Sequence, residues 1–150
     1  MAVEKTLVVI KPDGVERNLQ DDIKNRLTAT GLSIVAQKDM QVDAEFALTH
    51  YDDLGARKGA DIQNKMVAMM SSGPVEALII EGENAIAEVR RIVGATEPIS
   101  ADAGTIRGDL SDDTYAKADE EGRAVYNLVH ASDAPETAAQ EIALWFPELS

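Results

Sequence analysis

Thr6-Leu7-Val8-Val9-Ile10, followed at once by Lys11-Pro12-Asp13-Gly14, sets the reading of this chain. The first five residues favour extended backbone and read as a short buried strand, and the Pro-Asp-Gly triplet stops it in a turn. Working outward, Leu19, Ile23, Leu27 and Thr30 recur at helical spacing, and Gly31 ends that helix. Leu32, Ile34, Ala36, Lys38, Met40 and Val42 fall on alternate positions and give a second strand. Two helices are expected over Ala44–Leu54 and Asp61–Met70, then a strand over Val75–Ile80 between Gly73-Pro74 and Gly82. Glu83–Val93 reads as a helix closed by Gly94, and residues 95–124 as a long loop. A short strand follows at Asn127–His130. Asp133-Ala-Pro-Glu136 resembles a capping box with proline in the first turn, starting a helix that runs to Trp145.

The order is β-α-β-(αα)-β-α-loop-β-α. It predicts an α+β sandwich of the ferredoxin-like, split βαβ kind, with helices packed on a small antiparallel sheet. A length of 150 residues without repeat or linker fits one domain, 1–150. Hydrophobic residues make up 45%, enough for a core, and no apolar run could cross a bilayer. The polar N-terminus does not read as a signal peptide, and the absence of cysteine removes disulfides and thiolate sites. Cytoplasmic residence is expected. A net charge of −13 with no basic cluster beyond Arg90-Arg91 argues against nucleic acid and acidic membranes as partners. If the substrate is an anion, the few basic residues must gather locally.

Two charges interrupt apolar helix stripes. Glu141 sits among Ala138, Ile142 and Trp145, and Arg90 among Ile86, Val89 and Val93, so helical geometry turns both toward the protein body and Arg91 outward. Either they form a structural ion pair or they serve a site. His130, one of two histidines with His50, stands where a strand meets the next helix. A carboxylate behind it, Glu141 directly or through Ser132, would fix the imidazole tautomer and strengthen its basicity. Strict alternation would place Asn127 and His130 on opposite faces, so the strand must end or twist between them if both serve one pocket. Arg107 lies in a loop beside Gly104 and Gly108, where a guanidinium can clamp phosphate oxygens. Lys11 occupies another strand end. P-loop, Rossmann glycine, HExxH and paired-histidine metal motifs are absent, and no protein metal site is expected.

Thr6-Leu-Val-Val-Ile-Lys-Pro-Asp-Gly-Val-Glu-Arg17, Ser72-Gly-Pro74, Glu81-Gly-Glu-Asn-Ala85, Gly94-Ala-Thr-Glu-Pro98, Gly104-Thr-Ile-Arg-Gly-Asp109, Asn127-Leu-Val-His-Ala-Ser-Asp133 and Glu141-Ile-Ala-Leu-Trp-Phe146 together resemble the nucleoside diphosphate kinase family in its own order, over nearly the whole chain. The resemblance implies that His130 carries a transient phosphate between nucleoside tri- and diphosphates in a ping-pong reaction. It implies that Glu141 and Ser132 orient the ring and that Tyr51 helps close the site. Arg90, Thr96 and Arg107 would hold phosphates, and Lys11 with Asn127 would contact ribose and phosphate. Magnesium would arrive mainly on the nucleotide phosphates. The resemblance also implies a homo-oligomer, hexamer or tetramer, with the loop around Pro98 near an interface.

The chain departs from the family pattern in places. Gly55-Ala-Arg-Lys-Gly-Ala-Asp-Ile62 lacks the usual Arg-Pro-Phe-Phe and its base-stacking Phe, leaving Ile62 or Met66 as the apolar contact and Arg57 as a candidate phosphate-side arginine. Leu110–Tyr126 is longer than usual and acidic, Tyr126 stands for an Arg, Ala131 for a Gly, and Asn18-Leu-Gln-Asp21 replaces a more glycine-rich stretch. The alternative functions are a nucleotide-binding or phosphohistidine regulatory module that has lost turnover, and a structural domain in which Glu141 and Arg90 form an internal ion pair.

Overall fold

In the computed structural model, which describes residues 3–52 and 54–149, the opening run forms β1 (Val3–Ile10) in the middle of a four-stranded antiparallel sheet. β2 (Ser33–Met40), β3 (Val75–Glu83) and β4 (Val129–Ala131) complete it in the order β2-β3-β1-β4. β1 pairs with β3 from Val3 opposite Glu83 to Ile10 opposite Glu76, and with β4 through Val9 opposite His130. This is the ferredoxin-like α+β arrangement that the element order implies.

Side chains from β1 alternate between two cores. Val8 and Ile10 join Leu78, Ile80, Val129 and Ala131 beneath α2 (Gln20–Thr28) and α6 (Ala85–Val93). Leu7 and Val9 join Ala77 and Ile79 beneath α3 (Ala44–His50), α5 (Ala60–Met70) and α9 (Pro135–Trp145). Helices therefore cover both faces, which explains why residues 6–10 carry no polar alternation. Each fully buried Leu or Ile contributes about 1.5–3 kcal/mol of transfer free energy. Two shorter helices, α1 (Pro12–Glu16) and α4 (Leu54–Lys58), flank the strand ends and the α3–α5 connection.

Several sequence expectations need correction. Pro12-Asp13-Gly14 is not a free turn but the first turn of α1, because Pro12 sits at the start of the helix, where its missing N–H costs nothing. The segment expected as one loop contains a 3-10 turn at Pro98–Ser100, α7 (Ile106–Leu110) and α8 (Tyr115–Glu121), elements too short for helical periodicity to register. The helix expected over Ala44–Leu54 ends at His50, and its extension through Asp53 lies outside the described residues, as do Met1-Ala2. The capping box is absent: Ala134 is the N-cap of α9, without a side-chain bond, and Pro135 alone marks the start. In β2 the register slips between Ile34 and Ala36, so Ile34 packs with one core while Ala36 and Met40 pack with the other.

Candidate active site

His130 follows from the pleat. Its neighbours Val129 and Ala131 point into the α2–α6 core, so His130 points to the other face, beside Val9 and toward α3 and α9. Lys11, two residues beyond Val9, continues on that same face at the end of β1. Asn127 reaches it by a different device. Val129 N–H bonds to Asn127 C=O at 2.8 Å around Leu128, which has φ 74, so a γ-turn stands between Asn127 and β4. This left-handed turn resets the alternation that would have separated Asn127 from His130. Leu128 holds it in place with a fully buried side chain, its N–H donating to Asp13 Oδ2 at 3.0 Å and its C=O accepting from Lys11 N–H at 2.8 Å. Such a non-glycine conformation costs about 1–3 kcal/mol and persists only where its surroundings over-determine it.

A cleft of about 360 Å³ gathers Lys11, Tyr51, Met66, Arg90, Thr96, Arg107, Asn127, His130 and Glu141. Ser132 stands behind it, completely buried. The expected local gathering of cations is met: Lys11, Arg57, Arg90 and Arg107 line one cleft of a chain with net charge −13. At its floor, His130 Nε2 lies 2.8 Å from Glu141 Oε1, and Ser132 Oγ donates to the same oxygen at 2.5 Å. Burial alone would raise the Glu141 carboxyl. The hydrogen bonds and charge of His130, with the Ser132 bond, outweigh it and hold the group below its ordinary range. An ionised Glu141 makes Nε2 the protonated nitrogen of neutral His130, which leaves Nδ1 with a lone pair.

Lys11 Nζ donates to Asn127 Oδ1 at 2.8 Å, and Asn127 Nδ2 donates to Thr96 C=O at 3.1 Å. Burial, then the neighbouring Arg107 charge, push the Lys11 ammonium down to about 7 against the pull of Asp13. Arg107 is the N-terminal guanidinium of α7 rather than a loop residue. It donates to the carbonyls of Asn127, Gly94 and Val129 at 3.1, 3.1 and 2.7 Å. Burial, then Arg90, lower it to about 10. Gly94 and Gly108 make this packing possible, because a Cβ at Gly94 would meet Thr105 Oγ1 at 2.6 Å and one at Gly108 would meet Asp102 C=O at 2.1 Å.

Arg90 corrects the sequence reading in part. It is exposed, on the rim rather than inside, with Nη1 donating to Ala131 C=O at 3.1 Å, while Arg91 pairs with Glu88 on the surface. Glu141 is engaged by His130 and Ser132, not by Arg90, so the internal ion-pair reading falls.

Sequence reasoning missed His50, named there only as the second histidine. It is buried, its ring packs edge-on against His130 at 4.4 Å and Tyr51 at 4.5 Å, and its Nδ1 accepts from Trp145 Nε1–H at 2.9 Å. Burial, then His130, drive it down to about 3, so it is neutral with the proton on Nε2, 4.0 Å from Glu141 Oε2. No local signal marks it, since Trp145 lies 95 residues away. Asp133 and Thr137 also line the cleft unforeseen. Tyr51 is buried with no partner for its hydroxyl among the described residues, and burial, then Glu141, push its phenol upward. His50, His130 and Glu141 present ligand atoms within 4.8 Å of one another; His130 Nε2 and Glu141 Oε1 are engaged with each other and with Ser132, while the buried His50 Nε2 has no hydrogen-bond partner among the described residues.

A buried carboxylate–imidazole pair facing a cluster of cations defines a phosphate-handling site on a ferredoxin-like sheet. The family model for nucleoside diphosphate kinase matches residues 4–150. Similar relatives include the nucleoside diphosphate kinase of Borreliella burgdorferi, 40% identical over 99% of this chain and 90% of its own length. That of Mycobacterium tuberculosis is 45% identical over 96% and 97%. Among solved structures, a transition-state mimic of the Borrelia burgdorferi enzyme with bound vanadate and ADP superposes with TM-score 0.93 at 40% identity, covering 96% of this chain and 87% of that one. The Pyrobaculum aerophilum NDP kinase superposes with TM-score 0.87 at 40% identity, covering 97% and 96%. The chain belongs to the nucleoside diphosphate kinase family and is a phosphotransferase that moves a terminal phosphate from nucleoside triphosphates to nucleoside diphosphates.

Proposed function

We propose that His130 is the group through which the phosphate passes. Its Nδ1 attacks the terminal phosphorus of a nucleoside triphosphate, the N–P bond forms as the bond to the leaving diphosphate oxygen breaks, and a second nucleoside diphosphate reverses the step. The observation that carries this reading is the 2.8 Å contact of His130 Nε2 with Glu141, itself held by Ser132. It leaves Nδ1 as the lone-pair nitrogen in a cationic cleft and lets Glu141 stabilise the ring as it becomes positive. Lys11, Arg90, Arg107 and Thr96 receive the phosphates, Asn127 with Lys11 the ribose side, and Met66 the base side. Tyr51, whose buried hydroxyl lacks a partner among the described residues, offers a donor to a phosphoryl oxygen beside the ring.

The donor set fits magnesium carried on the nucleotide. The carboxylates on the cleft are Asp133, which is exposed, and Glu141, which His130 and Ser132 occupy, so a hard cation would keep mostly phosphate and water oxygens with Asp133 nearest. When bound it supplies positive charge to the phosphate oxygens. We further read the chain as one cytoplasmic domain that acts on free nucleotides as a homo-oligomer of six or four copies. No described helix is long and apolar enough to cross a membrane.

The test is single-turnover labelling with γ-labelled Mg-ATP without acceptor, chased with GDP, for wild type and His130→Ala. Acid-labile label that requires His130 and moves to GTP is expected. Label that never forms, or never leaves, at low and high salt alike defeats the reading and makes the chain a binding or regulatory relative.

A further inference from the structure

The acidic segment between α7 and Asn127 lends no side chain to the histidine cleft, yet it closes a hydrogen-bonded ring beside it. The ring starts at Thr96 on the cleft wall, whose C=O accepts from Asn127 Nδ2 at 3.1 Å. The next residue, Glu97, reaches α8. Its Oε2 accepts from the N–H of Tyr115, the first residue of that helix, at 2.9 Å, and its Oε1 accepts from Ser100 Oγ at 3.0 Å. Ile99 N–H donates to Asp113 C=O at 3.2 Å, a second tie between the same two segments. Asp113 in turn accepts from Tyr126 N–H at 2.7 Å and is gripped by Arg123 in a forked pair at 2.7 and 3.0 Å. Tyr126 leads directly into Asn127, and the ring is closed.

Glu97 stands out in this ring on two counts. The first turn of a helix leaves its N–H groups without partners in the helix. In α8 the Thr114 hydroxyl serves Lys117 N–H, and Glu97 serves Tyr115 N–H from 18 residues away. Glu97 also sets a negative charge one residue from Thr96, in the wall of a cleft lined by Lys11, Arg57, Arg90 and Arg107. By charge alone, a carboxylate there opposes an anionic ligand. Its use must lie elsewhere.

We propose, resting on the nucleotide reading of the cleft, that Glu97 is a positioning residue: it pins the Thr96 turn to α8 and so sets Thr96 in place for the phosphates. A turn held in advance spares the nucleotide the cost of ordering it. Charge and position then pull in opposite directions. Acting through charge, loss of Glu97 tightens nucleotide binding; acting through position, its loss weakens it. An amide keeps the position, because the Gln carbonyl accepts from Tyr115 N–H and its NH2 donates to Ser100 Oγ. The bond can also be cut from the other end. Thr114 is extended, at φ −132 and ψ 155, so proline fits at Tyr115 as the first helical residue and removes the N–H.

The experiment is titration calorimetry with Mg-ADP, alongside steady-state kinetics, on wild type, Glu97→Ala, Glu97→Gln, Tyr115→Pro and Tyr115→Ala. Glu97→Ala is expected to weaken ADP binding about fivefold, the cost of ordering the turn, with kcat within about twofold. Glu97→Gln should stay within about twofold of wild type. Tyr115→Pro should bind ADP more weakly than Tyr115→Ala by the same factor, which separates the N–H from the phenol side chain. With Thr96→Ala already in place, Glu97→Ala should change the affinity by less than about twofold. Tighter or unchanged ADP binding by Glu97→Ala overturns the proposal, as does a loss that adds in full to that of Thr96→Ala. If Glu97→Ala does not fold, the Tyr115 pair decides, and equal affinities for Tyr115→Pro and Tyr115→Ala are the adverse result. Binding needs no turnover. A protein that binds ADP but forms no phosphoenzyme sinks the function proposed above while these affinities still decide the role of Glu97; one that binds no ADP sinks both.

Discussion

The floor and the mouth of the cleft are built on opposite terms. Lys11, Arg107, Asn127, Ser132 and Glu141 on the floor are each no more than 9% exposed, and each is hydrogen-bonded inside the protein. At the mouth, Arg90 and Thr96 are exposed and Met66 is half-buried. The floor is set before any ligand arrives, so little reorganisation remains for the moment of transfer. The mouth relies on long, solvated side chains whose order a ligand would have to supply. Floor residues should therefore govern kcat and stability, and mouth residues KM.

The largest expected effect is at Lys11. Lys11→Met should lower kcat/KM by about 10²–10³ through loss of a pre-placed donor, yet hold or raise the melting temperature, since relief of a desolvated ammonium beside the Arg107 charge offsets the lost hydrogen bond to Asn127. A variant that loses stability in step with activity would make Lys11 a structural residue and erase the contrast. The titration gives a second reading of the same group. Folded Lys11 releases its proton near 7 and the unfolded chain near 10.5, so between these values the unfolded state holds more protons. The nucleotide-free protein should thus gain stability from this group as pH rises from about 7 to 10.5, the cost of burying the charge being fully present below 7. Phosphate binding is expected to restore the ammonium. Calorimetry in two buffers at ~pH 8.5 should record uptake of up to one proton by wild type and none by Lys11→Met.

Next comes Trp145→Phe, which leaves the buried His50 Nδ1 without a donor. Urea unfolding should show a loss of about 1–3 kcal/mol, with kcat falling more than KM rises because the His50 ring no longer braces His130. An unchanged midpoint would mean that the indole N–H contributes nothing to the floor. The smallest effect is expected for Arg90→Ala: KM for the triphosphate should rise about tenfold, the worth of one charged phosphate contact, with kcat within about twofold. A fall in kcat instead would place Arg90 with the floor and break the comparison from the other side.

Much of this was legible in the residues, for identifiable reasons. The run Thr6–Ile10 had to be buried because it has no polar alternation, and Glu141 had to face inward because it shares a stripe with Ala138 and Trp145. The eleven-residue spacing from His130 to Glu141 brought the pair within reach. What was hidden depends on conformation or distance. Leu128 carries no residue-type signal for a left-handed turn, a role usually left to Gly or Asn. The β2 bulge hides inside regular alternation. His50 meets its partners only after the chain has closed. Arg90 shows the limit of periodicity, which assigns a helix face but not how far a long side chain extends past the rim.

The single left-handed residue before β4 has a consequence for chain length. Parity along a strand normally links every residue to all those upstream, so an inserted residue turns each later side chain over. Here the phase is set afresh at Leu128, one position before β4, and pinned there by Asp13 and Lys11 at the end of the neighbouring strand β1. The segment between α7 and Asn127 can therefore grow or shrink without rotating His130. A lineage could splice an extra helix into this stretch, as α8 stands there now, and leave the aim of His130 untouched.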